Sequence, residues 1–298
     1  MEYKSGFIAI IGRPNAGKST LLNALIEEKV AIMSDKPNTT RNNIAGILTT
    51  DEAQYVFMDT PGIHKPQQQL GRVLNKNAYI AMEDSDLIGW IIDGTQSFGK
   101  GDEFILNRLK ELHKPVLLLV NKIDKLDKKK MMKVLMDWSN RYSFNEIIPI
   151  SALEKDNIDE LLKVFYNYLP EGPALFPSMM KSDHDLNFQM TEIVREKILF
   201  HTREEIPHSV AVVLDARNTD QIPEHIQMTI IVDRDSQKGI LIGNQGSMIK
   251  KIRLEAQKEL KQKLGHAVDL ELYVRTERNW RNKDQKIKEF GLDELNDE

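Results

Sequence analysis

The stretch that most limits what this chain can fold into is Gly12 to Thr20, GRPNAGKST, which follows the apolar run Phe7 to Ile11 and leads into LLNALI. A glycine-flanked turn between a strand and a helix lets backbone N–H groups converge at a helix N-terminus, where the helix dipole favours an anion. The spacing is that of a phosphate-binding loop: Gly12, four residues, then Gly17, Lys18 and Ser19. Lys18 is placed to neutralise β- and γ-phosphates, and the Ser19 hydroxyl to ligate Mg²⁺. An ordinary strand-to-helix turn would require neither side chain. Four further apolar runs, Tyr55 to Met58, Leu87 to Ile92, Val116 to Val120 and Ile147 to Ile150, alternate with segments of helical length and spacing. That rhythm predicts an α/β fold with a mostly parallel sheet, covered by helices and binding ligands beyond the carboxyl ends of its strands.

The other motifs begin at or just after these runs. Asn121, Lys122, Ile123 and Asp124 spell NKID after the fourth apolar run. The Asp124 carboxylate can accept hydrogen bonds from guanine N1–H and the 2-amino group, while Asn121 braces the loop. Adenine lacks that donor pair and would leave a desolvated carboxylate unpaired. Ser151 and Ala152 follow the last run, where a short loop can close over the base. Asp59, Thr60, Pro61 and Gly62 end the Tyr55 to Met58 strand; the aspartate can hold Mg²⁺ through water and the glycine amide can meet a γ-phosphate. Between these elements lies KPNTTRNN, in which Thr40, with Thr39 the weaker candidate, can complete the Mg²⁺ shell only while a γ-phosphate is present. The candidate nucleotide site therefore comprises Gly12, Arg13, Pro14, Asn15, Ala16, Gly17, Lys18, Ser19 and Thr20, the DTPG residues with Ile63, NKID, and Ser151 with Ala152. Ser19, Thr40 and Asp59 are the metal candidates. Ile63 stands where Ras-type enzymes carry a water-orienting glutamine. It is either a core residue, with another side chain serving in the glutamine's place, or the mark of a site that relies on the loop, metal ions and backbone alone.

At 298 residues, two domains are the default. With 41% hydrophobic and 29% charged residues the chain reads as globular, and with no cysteine it has neither disulfides nor thiolate metal sites. The N-terminal residues do not resemble a signal or membrane segment, so a cytoplasmic location is expected. Pro170, Gly172, Pro173 and Pro177 cannot continue a helix, which predicts a nucleotide domain over 1–172, a linker over 173–184 and a smaller α+β domain over 185–298 with an acidic tail.

The net charge of −4 conceals local asymmetry: Arg234 to Lys288 holds 14 Lys and Arg against 7 Asp and Glu. Within it, LIGNQGSMIKKIR places Gly243, Asn244, Gln245 and Gly246 before a helix with an apolar stripe of Ile249, Ile252, Ala256, Leu260 and Leu264. Lys250, Lys251 and Arg253 lie on its flank, followed by Lys258, Lys261 and Lys263. A G-x-x-G loop feeding a helix, in an α, β, β, α, α, β order, is how KH domains clamp single-stranded RNA backbone. A merely solvated basic face is the plainer alternative; loop, order and charge together favour RNA.

With GRPNAGKST, PNTTR, DTPGIH, NKID and GILIGNQGSMIKKI in this order, the chain resembles the bacterial Era family over nearly its whole length. The resemblance implies a GTPase domain followed by a type II KH domain, with GTP or GDP and Mg²⁺ as cofactors. It also implies binding near the 3′ end of 16S ribosomal RNA, a role in small-subunit assembly, and some peripheral membrane association of a monomer. Lys18, Thr40 and Asn15 are then the catalytic candidates, and Asn15 is a candidate for helping to bind K⁺ beside the phosphates. The chain departs from the family pattern at Asn244 and Gln245, where a basic residue is usual, and at Asn38, where glutamine is typical. Two rivals remain: a small-molecule or nucleotide kinase with a basic surface, and an RNA-binding scaffold with a vestigial nucleotide site.

Overall fold

The computed structural model describes residues 2–36, 39–63, 66 and 68–292. Asn38, His64 and the acidic tail from Asp293 to Glu298 lie outside them. The chain divides into two compact units: the first ends at Asp183, and the second comprises the residues from His184 onward together with the short segments Ser34–Thr39 and Gln68–Leu70.

In chain order the first unit contains β1 (Lys4–Ile11), α1 (Lys18–Ile26), β2 (Ile44–Thr49), β3 (Ala53–Asp59), α2 (Gln69–Asp84), β4 (Leu87–Asp93), α3 (Lys100–Leu109), β5 (Val116–Asn121), α4 (Lys128–Ser139), β6 (Glu146–Pro149) and α5 (Ile158–Tyr168). Six strands form one sheet in the order β2-β3-β1-β4-β5-β6, all parallel except β2. Every residue of β5, VLLLVN, is buried, as expected of a strand covered on both faces. The helices pack through apolar stripes; Trp138 of α4 meets Trp90 of β4 edge to face at 5.1 Å. Strand register then sets the site. Ile10 lies opposite Asp59 and Asp93 opposite Asn121, so the carboxyl ends of β1, β3, β4 and β5 finish side by side.

Two features differ from the sequence expectations. First, β2 was not among the apolar runs; it is the antiparallel edge strand, interrupted by Gly46, and follows the polar KPNTTRNN stretch. Second, residues 173–183 do not form a free linker. Pro173 accepts a hydrogen bond from Ser5 Oγ at 2.6 Å, and Gln54 brackets Leu175 and Phe176 through both ends of its amide. Farther on, Lys181 and Asp183 bond to the backbone of β2. Prolines stop a helix, but they do not prevent an extended segment from pairing along an open sheet edge.

The second unit runs α6 (Leu186–His201), α7 (Ile206–Ser209), β7 (Ala211–Asn218), β8 (Glu224–Val232), α8 (Asp235–Ile242), α9 (Ser247–Leu264), β9 (Val268–Thr276) and α10 (Asp284–Glu289). Its three-stranded sheet has the order β7-β8-β9, with β7 antiparallel and β9 parallel to β8. Met190, Val194 and Ile198 of α6 and Ile252, Ala256 and Leu260 of α9 are buried where these two helices pack together. The buried trio of α9 is the centre of the predicted apolar stripe, spaced four residues apart as a helix face requires.

Candidate nucleotide and RNA sites

The phosphate loop leaves β1 at Gly12 and enters α1 at Lys18. Gly17 has φ +106°, and a Cβ there would lie 2.2 Å from Asn121 Nδ2, so only glycine fits against the neighbouring loop. Lys18 is buried and its Nζ donates to the carbonyls of Gly12 and Arg13 at 3.4 and 3.2 Å, so the ammonium lies inside the loop it must neutralise. Burial lowers its pKa, partly offset by the charge of Asp59.

Three oxygens from separate elements meet at the end of β3. Asp59 Oδ2 accepts from Ser19 Oγ at 2.7 Å and from Thr40 Oγ1 at 3.1 Å, and the two hydroxyls are 2.9 Å apart. Asp59 is fully buried, and its Oδ1 has no hydrogen-bond partner. Burial pushes its carboxyl pKa up, against the opposing pull of Lys18, Ser19 and Thr40. A buried carboxylate with an unpaired oxygen beside two hydroxyls is a donor set suited to a hard cation, so these residues fit Mg²⁺. Thr39, by contrast, turns its hydroxyl to the Lys36 carbonyl. Only Thr40 joins the cluster.

The remaining DTPG residues brace this arrangement. Thr60 Oγ1 donates to Ile10 at 2.9 Å, and a Cβ on Gly62 would lie 2.8 Å from the Pro14 ring. Ile63 belongs to the apolar core with Trp90 and Met82, and its amide donates to the Gly12 carbonyl. Of the two readings for Ile63, this is the core residue.

On the base side, Asn121 ties two loops together: its Nδ2 donates to Ala16 and its Oδ1 accepts from the Ala152 amide, both at 2.9 Å. Ser151 Oγ donates to Asp124 Oδ1 at 2.6 Å, orienting the carboxylate. Lys122 Nζ bridges the Asn15 carbonyl and Asp93 Oδ2, at 2.9 and 2.7 Å. Ile123 donates its amide to Ile150, and Thr20 continues α1. Asp93 escaped the sequence reading, as did Arg13's ion pair with Asp102 at 3.1 Å. Burial alone would raise the Asp93 pKa, but hydrogen bonds from Lys122 and Thr95 outweigh it and hold the carboxyl below its usual range. Its position at the end of a buried strand, level with Asn121, was the available signal.

In the second unit Gly243 caps α8, and Asn244–Gly246 form a 3₁₀ turn before α9. Gly243 has φ +72°, and a Cβ there would meet the Met248 amide at 2.8 Å. Asn244, Gln245, Lys250 and Lys251 are exposed, while Arg253 bonds to Gln257 at 3.0 Å. The loop thus presents backbone at the start of a basic helix, a geometry suited to phosphate contact.

Comparison with known proteins accords with both halves. Residues 7–122 match a family described as 50S ribosome-binding GTPase, and residues 205–281 match the KH domain family. The chain is similar to Era crystallised with MgGDPNP and nucleotides 1506–1542 of 16S ribosomal RNA: 41% identity over 97% of this chain and 99% of that one, TM-score 0.94. It is likewise similar to a variant of Aquifex aeolicus Era bound to GDP and aluminium fluoride, at 42% identity over 97% and 99% of the chains, TM-score 0.93. Near-complete coverage at this identity places the chain in the Era family of GTPases, which carry a C-terminal KH domain.

Proposed function

We propose that this chain is a guanine-nucleotide switch that binds and hydrolyses GTP with Mg²⁺ and clamps the 3′ region of 16S ribosomal RNA through its KH domain during assembly of the 30S subunit. The observation that carries the switch is the Ser19, Thr40 and Asp59 cluster. Ser19 lies in α1 and Asp59 ends β3, whereas Thr40 lies within the polar connection that precedes β2, so the connection is held where a metal and γ-phosphate would hold it. When bound, Mg²⁺ supplies charge neutralisation on the phosphates. Lys18 adds a buried positive charge, Asn121 and Asp124 select and seat the base, and backbone amides of the loop orient the phosphate chain. With Ile63 in the core, the attacking water is not oriented by a side chain at that position. Asn15 is exposed at the loop rim with its carbonyl held by Lys122, which suits it to assist a K⁺ ion beside the phosphates. Equal hydrolysis in Na⁺ and K⁺ would remove that part of the reading.

RNA contact is assigned to the Gly243–Gly246 loop with Lys250, Lys251 and Arg253, and the protein is taken to work as a cytoplasmic monomer with peripheral membrane contact. Among the described residues no helix is long and apolar enough to cross a membrane. Two measurements test the whole. Lys18→Ala should abolish GTP turnover, and turnover equal to wild type would favour the scaffold reading. Gly243→Asp with Gly246→Asp should weaken RNA binding without altering GTP affinity, because both positions hold a positive φ that strains a side-chain-bearing residue and a Cβ on Gly243 would also meet Met248 at 2.8 Å.

A further inference from the structure

Beside the nucleotide site, but not part of it, the first unit has a cavity of about 530 Å³ between the loop after β4, the turn after NKID and one side of α4. That volume falls in the range of small-ligand sites, which run from about 300 to 1,000 Å³. Its charge is one-sided: Lys125, Lys130, Lys133 and Arg141 line it, against Asp137 as the sole carboxylate of the lining. The asymmetry begins in sequence, since Lys122 to Arg141 holds seven cationic residues and three acidic ones. Lys130 has an ion-pair partner, Asp127 at 3.2 Å, but both side chains are mostly exposed, so the pair is weak and exchangeable for a phosphate.

The cavity also has a platform. The Arg141 guanidinium lies over the Phe98 ring, 4.2 Å from its centroid, and Trp138 completes the wall. A guanidinium held over an aromatic ring offers a surface on which a nucleobase can stack. Exposed Met132 and Met136 on α4 do not line the cavity, so the groove itself presents cations and rings rather than free aliphatic side chains. A second cavity of about 220 Å³ shares Gln96, Ser97 and Trp138 with the first and reaches Arg13 to Ala16 of the phosphate loop.

We propose that this groove is a second RNA-binding site, on the GTPase unit, taking an unpaired nucleotide with its base on Arg141 and its flanking phosphates on Lys130 and Lys133. The proposal builds on the RNA-binding reading above but does not use the KH residues. Through the shared wall, an occupant would lie next to the outer side of the phosphate loop.

The test uses full-length protein and fluorescein-labelled RNA covering 16S nucleotides 1506–1542, the stretch in the similar complex. Four proteins are titrated by anisotropy at several salt concentrations: wild type, Lys130→Ala/Lys133→Ala/Arg141→Ala, Arg141→Lys, and Gly243→Asp/Gly246→Asp. Single-stranded contacts contribute a salt slope of about 0.7 per phosphate, so losing the two phosphate contacts of Lys130 and Lys133 should lower the log–log slope by about 1.4, and losing the base platform with them should weaken binding at low salt at least tenfold. Arg141→Lys keeps the charge and loses the plane; it should weaken binding several-fold with the slope unchanged. Ultraviolet crosslinks should map to peptides carrying Phe98 or Trp138 and disappear in the triple variant. Unchanged affinity and slope in the triple variant, with the glycine double variant impaired, would overturn this site while leaving the KH reading intact. Impairment by the triple variant alone would keep this site and overturn the KH assignment. If the triple variant loses binding to phosphatidylglycerol vesicles but not to RNA, the groove is a membrane contact and the proposal fails.

Discussion

Asn121 is the residue whose loss the geometry makes most costly to the nucleotide site. It is 3% exposed and makes two hydrogen bonds of 2.9 Å, to the Ala16 carbonyl of the phosphate loop and from the Ala152 amide of the base loop. In Asn121→Ala both backbone groups lose their partner in a buried setting. Each orphan costs roughly 1 to 3 kcal/mol, so the lower bound for the pair is about 2 kcal/mol. At about 1.4 kcal/mol per tenfold, a loss felt wholly in binding weakens GDP affinity about thirtyfold. Whatever share is felt without nucleotide lowers the melting temperature instead, by about 2 to 4 °C per kcal/mol for a unit of this size. Titration with a fluorescent GDP analogue and thermal melts with and without GDP measure both shares. Affinity within threefold of wild type, together with an unchanged melt, would refute the idea that this side chain ties the two loops. Asn121→Asp serves as a further control, because it keeps an acceptor for Ala152 but sets a carboxylate against the Ala16 carbonyl.

Ile63→Gln places the water-orienting side chain of Ras-type enzymes at a position buried among Trp90 and Met82. It should not raise GTP turnover, and the buried amide should cost about 1 to 3 kcal/mol, read as a lower melting temperature; faster hydrolysis would show that the side chain can reach the phosphates. Glu224, 2% exposed, accepts from Arg217 and pairs with His266, and the Arg217 hydrogen bond, opposed by burial and aided by His266, holds its carboxyl below the usual range. A depressed carboxylate contributes stability above the unfolded value that is lost as pH falls through the folded one. Melts of the wild type and Glu224→Gln should therefore differ at neutral pH and converge on acidification below the ordinary glutamate range. Parallel curves would exclude Glu224 as the cause.

The motifs were legible in the sequence because each is local. A loop that cradles phosphate needs glycines, a lysine and a hydroxyl at fixed offsets, and Gly12 to Thr20 supplies all of them within one turn. NKID and the G-x-x-G loop are similarly contained, and the alternation of buried runs with helical stretches was enough to indicate a parallel sheet. The identity of the metal-facing threonine was not local: sequence favoured Thr40 over its neighbour Thr39, but it is the path of the chain beside Asp59 that separates them. Ile63 was ambiguous for the same reason, since whether a side chain enters a core depends on what stands behind it. Asp93 and Trp138 are ordinary in sequence and acquire their roles from strand register and helix packing. The prolines at 170, 173 and 177 follow the end of α5, but a rule about what ends a helix says nothing about the sheet edge along which the next residues lie. Sequence by itself determined the chemistry available to this chain, which depends on residue type and short spacing; tertiary structure alone decided which groups meet, because contacts between distant residues depend on register and packing.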